Sequence, residues 1–351
     1  MKTIHSVPGY PRGTPFFLLT FVMALRRCQK ISVQNIRLSG YQMPDILMSR
    51  SPSSWYPAVL ISIFMIVFNS ANAGPGGASA AFLKLPVDSR VVALGEAGTA
   101  YIDNAAALYY NPAGLGKIQK ADFRFMHNMW LLGMNHEYFA TGFNIKRVGS
   151  FGLSINYWGS GAIPSITIRG DTIGEFTAYD WTVNIGYGKE LGDFCFGTGL
   201  KYVSEKNDSF GGSCFGFDMG AMYNTPIKGL QAGLSCANLG TQIELDSTAY
   251  PMPLLFRLGW RYALPGPALA ITQDFILSNA DNLGIGLGAE YWTAQVLALR
   301  LGYRTGPGYE GFSGLRAGLG IFIKGFGIDY AYAPYGKLGM SNRFTIAFAI
   351  Q

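Results

Sequence analysis

Charge is scarce in this chain of 351 residues: Asp, Glu, Lys and Arg make up 14% of it, against about a quarter in an ordinary soluble domain. A conventional water-facing globule is therefore disfavoured. Long apolar runs are missing as well. No stretch reaches the roughly 18 residues that a membrane-crossing helix needs, which removes a helical membrane bundle. Histidine is nearly absent: beyond the leader only His127 and His136 remain, around the first expected loop in HNMWLLGMNHEY, and no Gly-x-Ser-x-Gly elbow accompanies them. His136 with Glu137 reads as a loop pair, so no enzyme is expected and no catalytic residue is assigned. Cysteine is sparse too. Beyond the leader, which holds Cys28, the three cysteines Cys195, Cys214 and Cys236 are odd in number and lack metal-ligand spacing, so neither a disulfide framework nor a metal site is expected, and no cofactor.

The net charge of +6 invites a nucleic-acid reading that the distribution of charge removes. Residues 1–73 hold seven of the 27 bases (Lys2, Arg12, Arg26, Arg27, Lys30, Arg37, Arg50) and one of the 21 acids (Asp45), so the remainder is balanced. A phosphate-binding surface does not follow. The Gly-rich run GTGLKY, Gly197 to Tyr202, is no phosphate loop either, because no helix follows to present its N-terminus.

What is present begins with an export signal. Arg50 precedes the apolar run of residues 57–68, PAVLISIFMIVF, and Ala71-Asn72-Ala73 supplies the small-x-small pattern for cleavage after Ala73. The earlier run Pro15 to Leu25 is followed by Arg26-Arg27 and polar sequence. A translation start at Met43 or Met48 would leave a conventional leader.

From residue 121 onward, apolar residues alternate with small or polar ones over runs of about nine to eleven residues, the length of a tilted strand crossing an outer membrane. In Leu254 to Leu264, one face carries Leu254, Phe256, Leu258, Trp260, Tyr262 and Leu264; the other carries Leu255, Arg257, Gly259, Arg261 and Ala263. Val296 to Gly306 and Leu315 to Ile323 divide the same way. A soluble sandwich would bury the apolar face and an outer-membrane barrel would turn it to lipid, so alternation alone does not choose. The export signal, the aromatic residues near strand ends (Trp130, Trp158, Tyr187, Tyr262, Tyr291, Trp292, Tyr303, Tyr335) and the terminal strand RFTIAFAIQ decide for the barrel.

The sequence divides into about 14 strands starting near residues 121, 135, 150, 177, 194, 212, 228, 253, 267, 282, 295, 312, 325 and 342. Tight links follow the even-numbered strands, as at Lys146 to Gly149 and Lys324 to Gly325. Longer ones follow most odd-numbered strands, as at Gly159 to Glu175 and Gly240 to Met252. Short turns on one side and long loops on the other mark single-chain barrels with the short side periplasmic. An even count places both termini there. The expected fold is all-β: a transmembrane antiparallel barrel, residues 121–351, in the bacterial outer membrane.

Residues 74–120 are of another kind. In YIDNAAALYYNPAGLGKI, Tyr101 to Ile118, Asp103 or Asn104 can cap a short helix over Ala105 to Tyr109. Asn111-Pro112-Ala113-Gly114 fits a type I turn with Pro second and Gly fourth. The apolar side chains of Ala106 to Leu115 would be wet in a loose extension, so the segment is expected inside the barrel as an N-terminal hatch plugging the lumen.

Here a resemblance enters. Ser89 to Gly98 with Ala97 to Ile118 resembles the N-terminal signature of the PorV/PorQ family, within the FadL-like group of outer-membrane transport proteins. The resemblance implies a hatch bearing an Asn-Pro-Ala-Gly motif before a 14-stranded barrel, with Asn111, Pro112, Ala113 and Gly114 as the hatch turn and Asp103 and Asn104 as its cap. For FadL-like members it implies passage of hydrophobic solutes; for PorV it implies an accessory role in type IX secretion.

Eight charged residues should face the lumen on neighbouring strands: Arg257, Arg261, Asp274, Glu290, Arg300, Arg304, Arg316 and Asp329. They read first as a structural ladder holding the hatch and second as a grip for the anionic head of an amphiphile. The functional expectation is passive passage of small hydrophobic or amphipathic molecules, with outer-membrane lipid and a hydrophobic solute as partners. The alternative is a secretion-system accessory holding proteins on its long loops. A third reading is an envelope protein with a sealed lumen.

Overall fold

The computed structural model describes residues 77–245, 248–266, 268–281, 283–306, 309 and 311–350. The expected leader, its apolar run 57–68 and the cleavage site after Ala73 lie outside the described residues.

The strands are β1 (Ala121–Met129), β2 (Asn135–Ile145), β3 (Gly149–Ile166), β4 (Thr172–Leu191), β5 (Phe194–Asn207), β6 (Phe210–Asn224), β7 (Leu230–Gly240), β8 (Ile243–Leu245), β9 (Thr248–Tyr250), β10 (Leu255–Ala263), β11 (Leu269–Ser278), β12 (Gly284–Thr293), β13 (Leu297–Arg304), β14 (Leu315–Ile323), β15 (Phe326–Pro334) and β16 (Met340–Ile350). Fourteen of them close into an antiparallel barrel, while β8 and β9 form a separate hairpin. Closure is made by β1 against β16, with Ala121 opposite Ile350 and Met129 opposite Asn342. Every strand of the barrel thereby loses its free edge.

Alternation decides which side chains meet what. On β16, Phe344, Ile346, Phe348 and Ile350 are exposed on the outside, while Arg343 and Thr345 are buried in the lumen. The same outward set recurs around the wall, as with Phe151, Leu153 and Ile155 on β3. Such a continuous apolar exterior over a polar interior is what lipid solvates and water does not.

Tight turns define one rim. Lys324 and Gly325 both take positive φ, 50° and 84°, the hairpin geometry whose twist matches the flanking strands. At the other rim the structure corrects the expected loop Gly159 to Glu175. Strands β3 and β4 continue past the barrel to Ile166 and Thr172 as a projecting hairpin, with register shifts after Gly159 and Ser165. The Gly240 to Met252 link contains the β8–β9 hairpin. The link after β5 is only Asp208 and Ser209, because β5 and β6 also run long.

The segment before β1 occupies the lumen. Val91, Ile102, Leu108, Tyr110 and Leu115 form an apolar cluster with Met126, Tyr138 and Ala140 of the wall. Burying each large side chain contributes about 1.5–3 kcal/mol. The wall meets this segment with glycine: a Cβ on Gly188 would lie 2.7 Å from the Gly116 nitrogen, and one on Gly288 would lie 2.6 Å from the Leu94 Cβ. Only backbone fits there.

Ile350 lies at the tight-turn rim, beside Ala121. The described start of the chain lies at the other rim, where the Ser79 amide donates to the Pro251 carbonyl (3.0 Å) and the Ala80 amide to Glu205 Oε2 (2.8 Å). The two ends of the barrel, Ala121 and Ile350, thus lie at one rim, while residues 79–86 descend from the other.

Candidate binding cavity and the lumen around it

The hatch is fixed from the wall by side chains that accept from or donate to its backbone. Asp274 Oδ2 accepts from the Gly98 amide (3.0 Å), the Thr99 amide (2.9 Å) and the Thr99 hydroxyl (2.6 Å). Asp122 accepts from the Ala105 amide at 2.8 Å. Asn184 Nδ2 donates to the Leu108 carbonyl (3.0 Å), and the Ser235 hydroxyl donates to the Tyr110 carbonyl (2.8 Å). The bonds to the two carboxylates are charge-assisted, among the stronger ones a protein makes.

Within the hatch, the helix spans Ala107–Tyr110 and its preceding residue, Ala106, gives no side-chain cap. Asn104 Oδ1 instead accepts from the Ala106 amide at 2.9 Å. Asp103 caps nothing. Its half-exposed carboxylate sits 3.7 Å from Arg90, because the chain turns once more before the helix starts. The expected single turn at Asn111 to Gly114 is the opening of a 3-10 helix, Pro112–Lys117, whose cap is Asn111. Asn111 Oδ1 accepts from Ala113 N, while its Nδ2 donates to the carbonyls of Thr99 (2.8 Å) and Ala221 (3.1 Å). One amide thus joins two hatch segments to β6. Ala113 and Gly114 are buried beside it.

The eight lumen charges separate by height. Towards the tight-turn rim, Glu290 receives Arg90 through two bonds of 2.8 Å, Arg300 Nε at 2.8 Å and Arg261 at 3.3 Å. Arg300 also reaches Asp329. Arg90 comes from the hatch and the others from β10, β12, β13 and β15, so the cluster ties plug to wall. Asp274 clamps the hatch at mid-height. Arg257, Arg304 and Arg316 lie towards the mouth, where their surroundings are aromatic. Arg316 stands between the rings of Tyr309 and Tyr335, 5.0 and 5.1 Å from their centroids, and donates to the Ser313 carbonyl at 2.8 Å. Arg304 is 3.4 Å from Glu96. Arg257 lies over the hatch residue Tyr109 at 5.2 Å.

Between hatch and mouth is a cavity of about 250 Å³. Tyr109, Tyr110, Trp130, Tyr309 and Tyr335 supply aromatic surface, Leu85, Leu255 and Ile276 aliphatic surface, and Arg257, Arg304 and Glu96 the polar groups. Its rim is crossed by residues 79–86, held by the Lys84–Asp281 ion pair at 2.9 Å. Phe82 and Leu83 of that strap pack with Val203, Cys214, Ile243 and Met252. Burial pushes the Tyr109 phenol well above its ordinary value, with Arg257 pulling the other way. Beside it is a second void of about 20 Å³ that shares Tyr109, Leu255 and Arg257 with the first, enough for about one water.

Several sequence expectations change here. Trp130, Tyr335 and Trp158, expected only near strand ends, face inward: Trp130 packs on Tyr335 at 4.8 Å, and Trp158 packs on the strap cluster. His127 and His136 are in strands, where neighbours point to opposite faces. His127 pairs with Glu137 at 2.6 Å, whereas His136 is buried against Asn156 at 2.6 Å. Sequence reasoning missed Glu96, Tyr109 and Tyr309 in the cavity, and Arg124, Lys201 and Arg343 in the lumen. Arg343 was legible: the outward set Phe344, Ile346, Phe348 puts its neighbour inside. Tyr309 follows β13 in an irregular link, where no periodicity marks it.

Solved structures share this barrel fold. The toluene transporter TbuX of Ralstonia pickettii aligns with 76% of this chain and 100% of its own, at 15% identity and a TM-score of 0.52. The fold is that of FadL-like outer-membrane channels. A FadL homologue of Pseudomonas aeruginosa aligns with 76% of this chain and 98% of its own at 10% identity (TM-score 0.53). The toluene transporter TodX of P. putida does so over the same shares at 11% identity (TM-score 0.52). No protein-family model and no curated protein matches the chain.

Proposed function

We propose that this chain is an outer-membrane barrel, residues 121–351, with a hatch over residues 74–120, and that it binds small hydrophobic or amphipathic molecules at its mouth for passive passage inward. The observation that carries the reading is the cavity between Tyr109, Trp130, Leu255, Ile276 and Tyr309, open on the long-loop side and floored by the hatch. Mostly apolar walls with a few convergent polar groups are the usual form of a small-molecule site. The solved toluene transporters with this fold agree with that reading. The tight-turn rim with Ile350 would then face the periplasm, and the leader would direct export. An uptake assay tests it: cells expressing the chain should take up radiolabelled toluene several-fold faster than cells with the empty vector. Equal rates, with the barrel assembled in the outer membrane, would refute passage.

A second reading is favoured by a different observation. Hatch backbone lies directly on wall glycines such as Gly188 and Gly288, so hatch and wall meet without a gap at those positions. A PorV-like accessory of type IX secretion needs no open lumen, and the projecting β3–β4 hairpin, with Ile166, Ile168 and Ile173 exposed, would offer it a surface. Loss of export of a secreted cargo on deleting that hairpin, with toluene uptake unchanged, would favour this role.

A further inference from the structure

The tight-turn rim carries a surplus of positive charge on its outside. Lys120, Lys146, Arg147, Lys189, Lys228 and Lys324 stand in or beside its turns, all of them exposed or half-exposed. The acids of those turns and strand ends are Glu190 and Asp193. Glu190 alternates with Gly188, where a Cβ would meet the hatch, so this acid belongs to the lumen side. Among the described residues none of the six bases forms an ion pair. The opposite rim is mixed in sign: its exposed bases Arg169, Lys206 and Lys337 stand with the exposed acids Asp171, Glu175 and Asp208.

Position narrows the partner. The Asn144 amide donates to the Lys120 carbonyl (2.9 Å) and Lys189 Nζ donates to the Arg147 carbonyl (3.4 Å), so Lys120, Lys146, Arg147 and Lys189 form one arc across β1 to β4. Across the barrel, the β10–β11 and β12–β13 turns, residues 264–268 and 294–296, hold no charged residue. The bases also adjoin apolar side chains exposed on the outside. Ile145 and Val148 flank Lys146 and Arg147, Leu191 follows Lys189, Ile227 precedes Lys228 and Ile323 precedes Lys324. Lys189 alternates with the outward Ile185 and with Tyr187, whose ring packs on the exposed Phe151 at 5.1 Å. The cations thus stand where the lipid-facing exterior ends, at the level of headgroup phosphates, with aliphatic stems able to lie along that surface. An acidic soluble protein could answer the charges but not the apolar flanks, which acyl chains cover. A zwitterionic headgroup would bring its own ammonium to an arc that already has cations in excess.

Resting on the reading of the chain as an outer-membrane barrel with this rim periplasmic, we propose that the arc is a binding surface for anionic glycerophospholipid of the periplasmic leaflet. Lys146, Arg147 and Lys189 receive the phosphate, and the acyl chains run along Ile145, Val148 and Phe151. The test is native mass spectrometry of the full chain in detergent, titrated with equal amounts of phosphatidylglycerol and phosphatidylethanolamine of matched acyl chains. The unaltered barrel should retain phosphatidylglycerol at least about fivefold over phosphatidylethanolamine, the factor that one cation at an anionic lipid surface supplies. Lys146→Gln, Arg147→Gln and Lys189→Gln together should reduce that preference below about twofold. Arg169→Gln, Lys206→Gln and Lys337→Gln together, which remove the same charge from the other rim, should leave it unchanged. Should the first triple variant fail to assemble, shown by lost heat-modifiable mobility, Arg147→Gln alone should still lower the preference by about twofold or more. Equal retention of the two lipids by an assembled barrel that takes up toluene would overturn the lipid surface and leave the function standing, as would an equal loss of preference in both triple variants. A clear preference in a barrel that takes up no toluene would support the surface and refute passage. A chain that does not assemble as a barrel would overturn both.

Discussion

The two halves of the lumen solve the same problem in opposite ways. Towards the tight turns, every charge on the wall that the hatch can reach is answered: Glu290 holds Arg90, Arg261 and Arg300, and Arg300 holds Asp329. Glycine there lets hatch backbone lie directly on the wall, as at Gly188 and Gly288. Towards the mouth the pairing is thinner: Arg304 meets Glu96 at 3.4 Å, while Arg316 stands between two rings. Arg257 rests on rings rather than carboxylates, and the space between hatch and wall stays open. What separates the two halves is how many partners the hatch brings to the charges of the wall: Arg90 joins the Glu290 cluster below, and Glu96 reaches Arg304 above.

That contrast can be broken from below with the largest effect. Glu290→Ala would remove the acceptor that three guanidinium groups share, and breaking a buried pair from one side costs about 3–5 kcal/mol. Denaturant unfolding in micelles should show a loss of that order. Leu108→Ala, in the apolar cluster beneath the cavity, should cost about 2–5 kcal/mol by the cavity it leaves. Asp274→Ala removes the acceptor of two hatch amides and a hydroxyl, so about 1–3 kcal/mol is expected, read locally as faster hydrogen exchange at Gly98 and Thr99. The mouth should respond otherwise. Tyr309→Ala should change unfolding by no more than about 1 kcal/mol while weakening a ligand in the cavity by more than that. A Tyr309→Ala barrel as destabilised as Glu290→Ala would erase the distinction between the halves.

Much of the wall is legible in the sequence, because a period of two is strong over nine residues: the alternation in Leu254 to Leu264 assigns Arg257 and Arg261 to the lumen, where both lie. The pattern carries no height, however. Arg257 and Arg261 are equivalent in sequence, and only the hatch, passing over one with Tyr109 and the other with Tyr101, separates them. Aromatic residues at strand ends are ambiguous for a related reason. Trp130 and Tyr335 end strands as a lipid girdle would, yet each follows the last regular residue, where alternation stops and the chain turns inward. Asp103 fails as a cap because a cap is fixed by where the helix begins, and in a run of three alanines the sequence does not mark that residue. The strap over residues 79–86 has no signal at all, since its partners Glu205, Pro251 and Asp281 lie more than 120 positions away.

The most direct test of this division is an experimentally determined structure of the full chain, extracted in mild detergent and never refolded. A sealed lower half and a receptive mouth predict density for a bound molecule against Tyr109, Arg257 and Tyr309, with the Asp274 and Glu290 contacts to the hatch intact. An empty mouth, together with a continuous open path past Glu290 to the tight-turn rim, would contradict it.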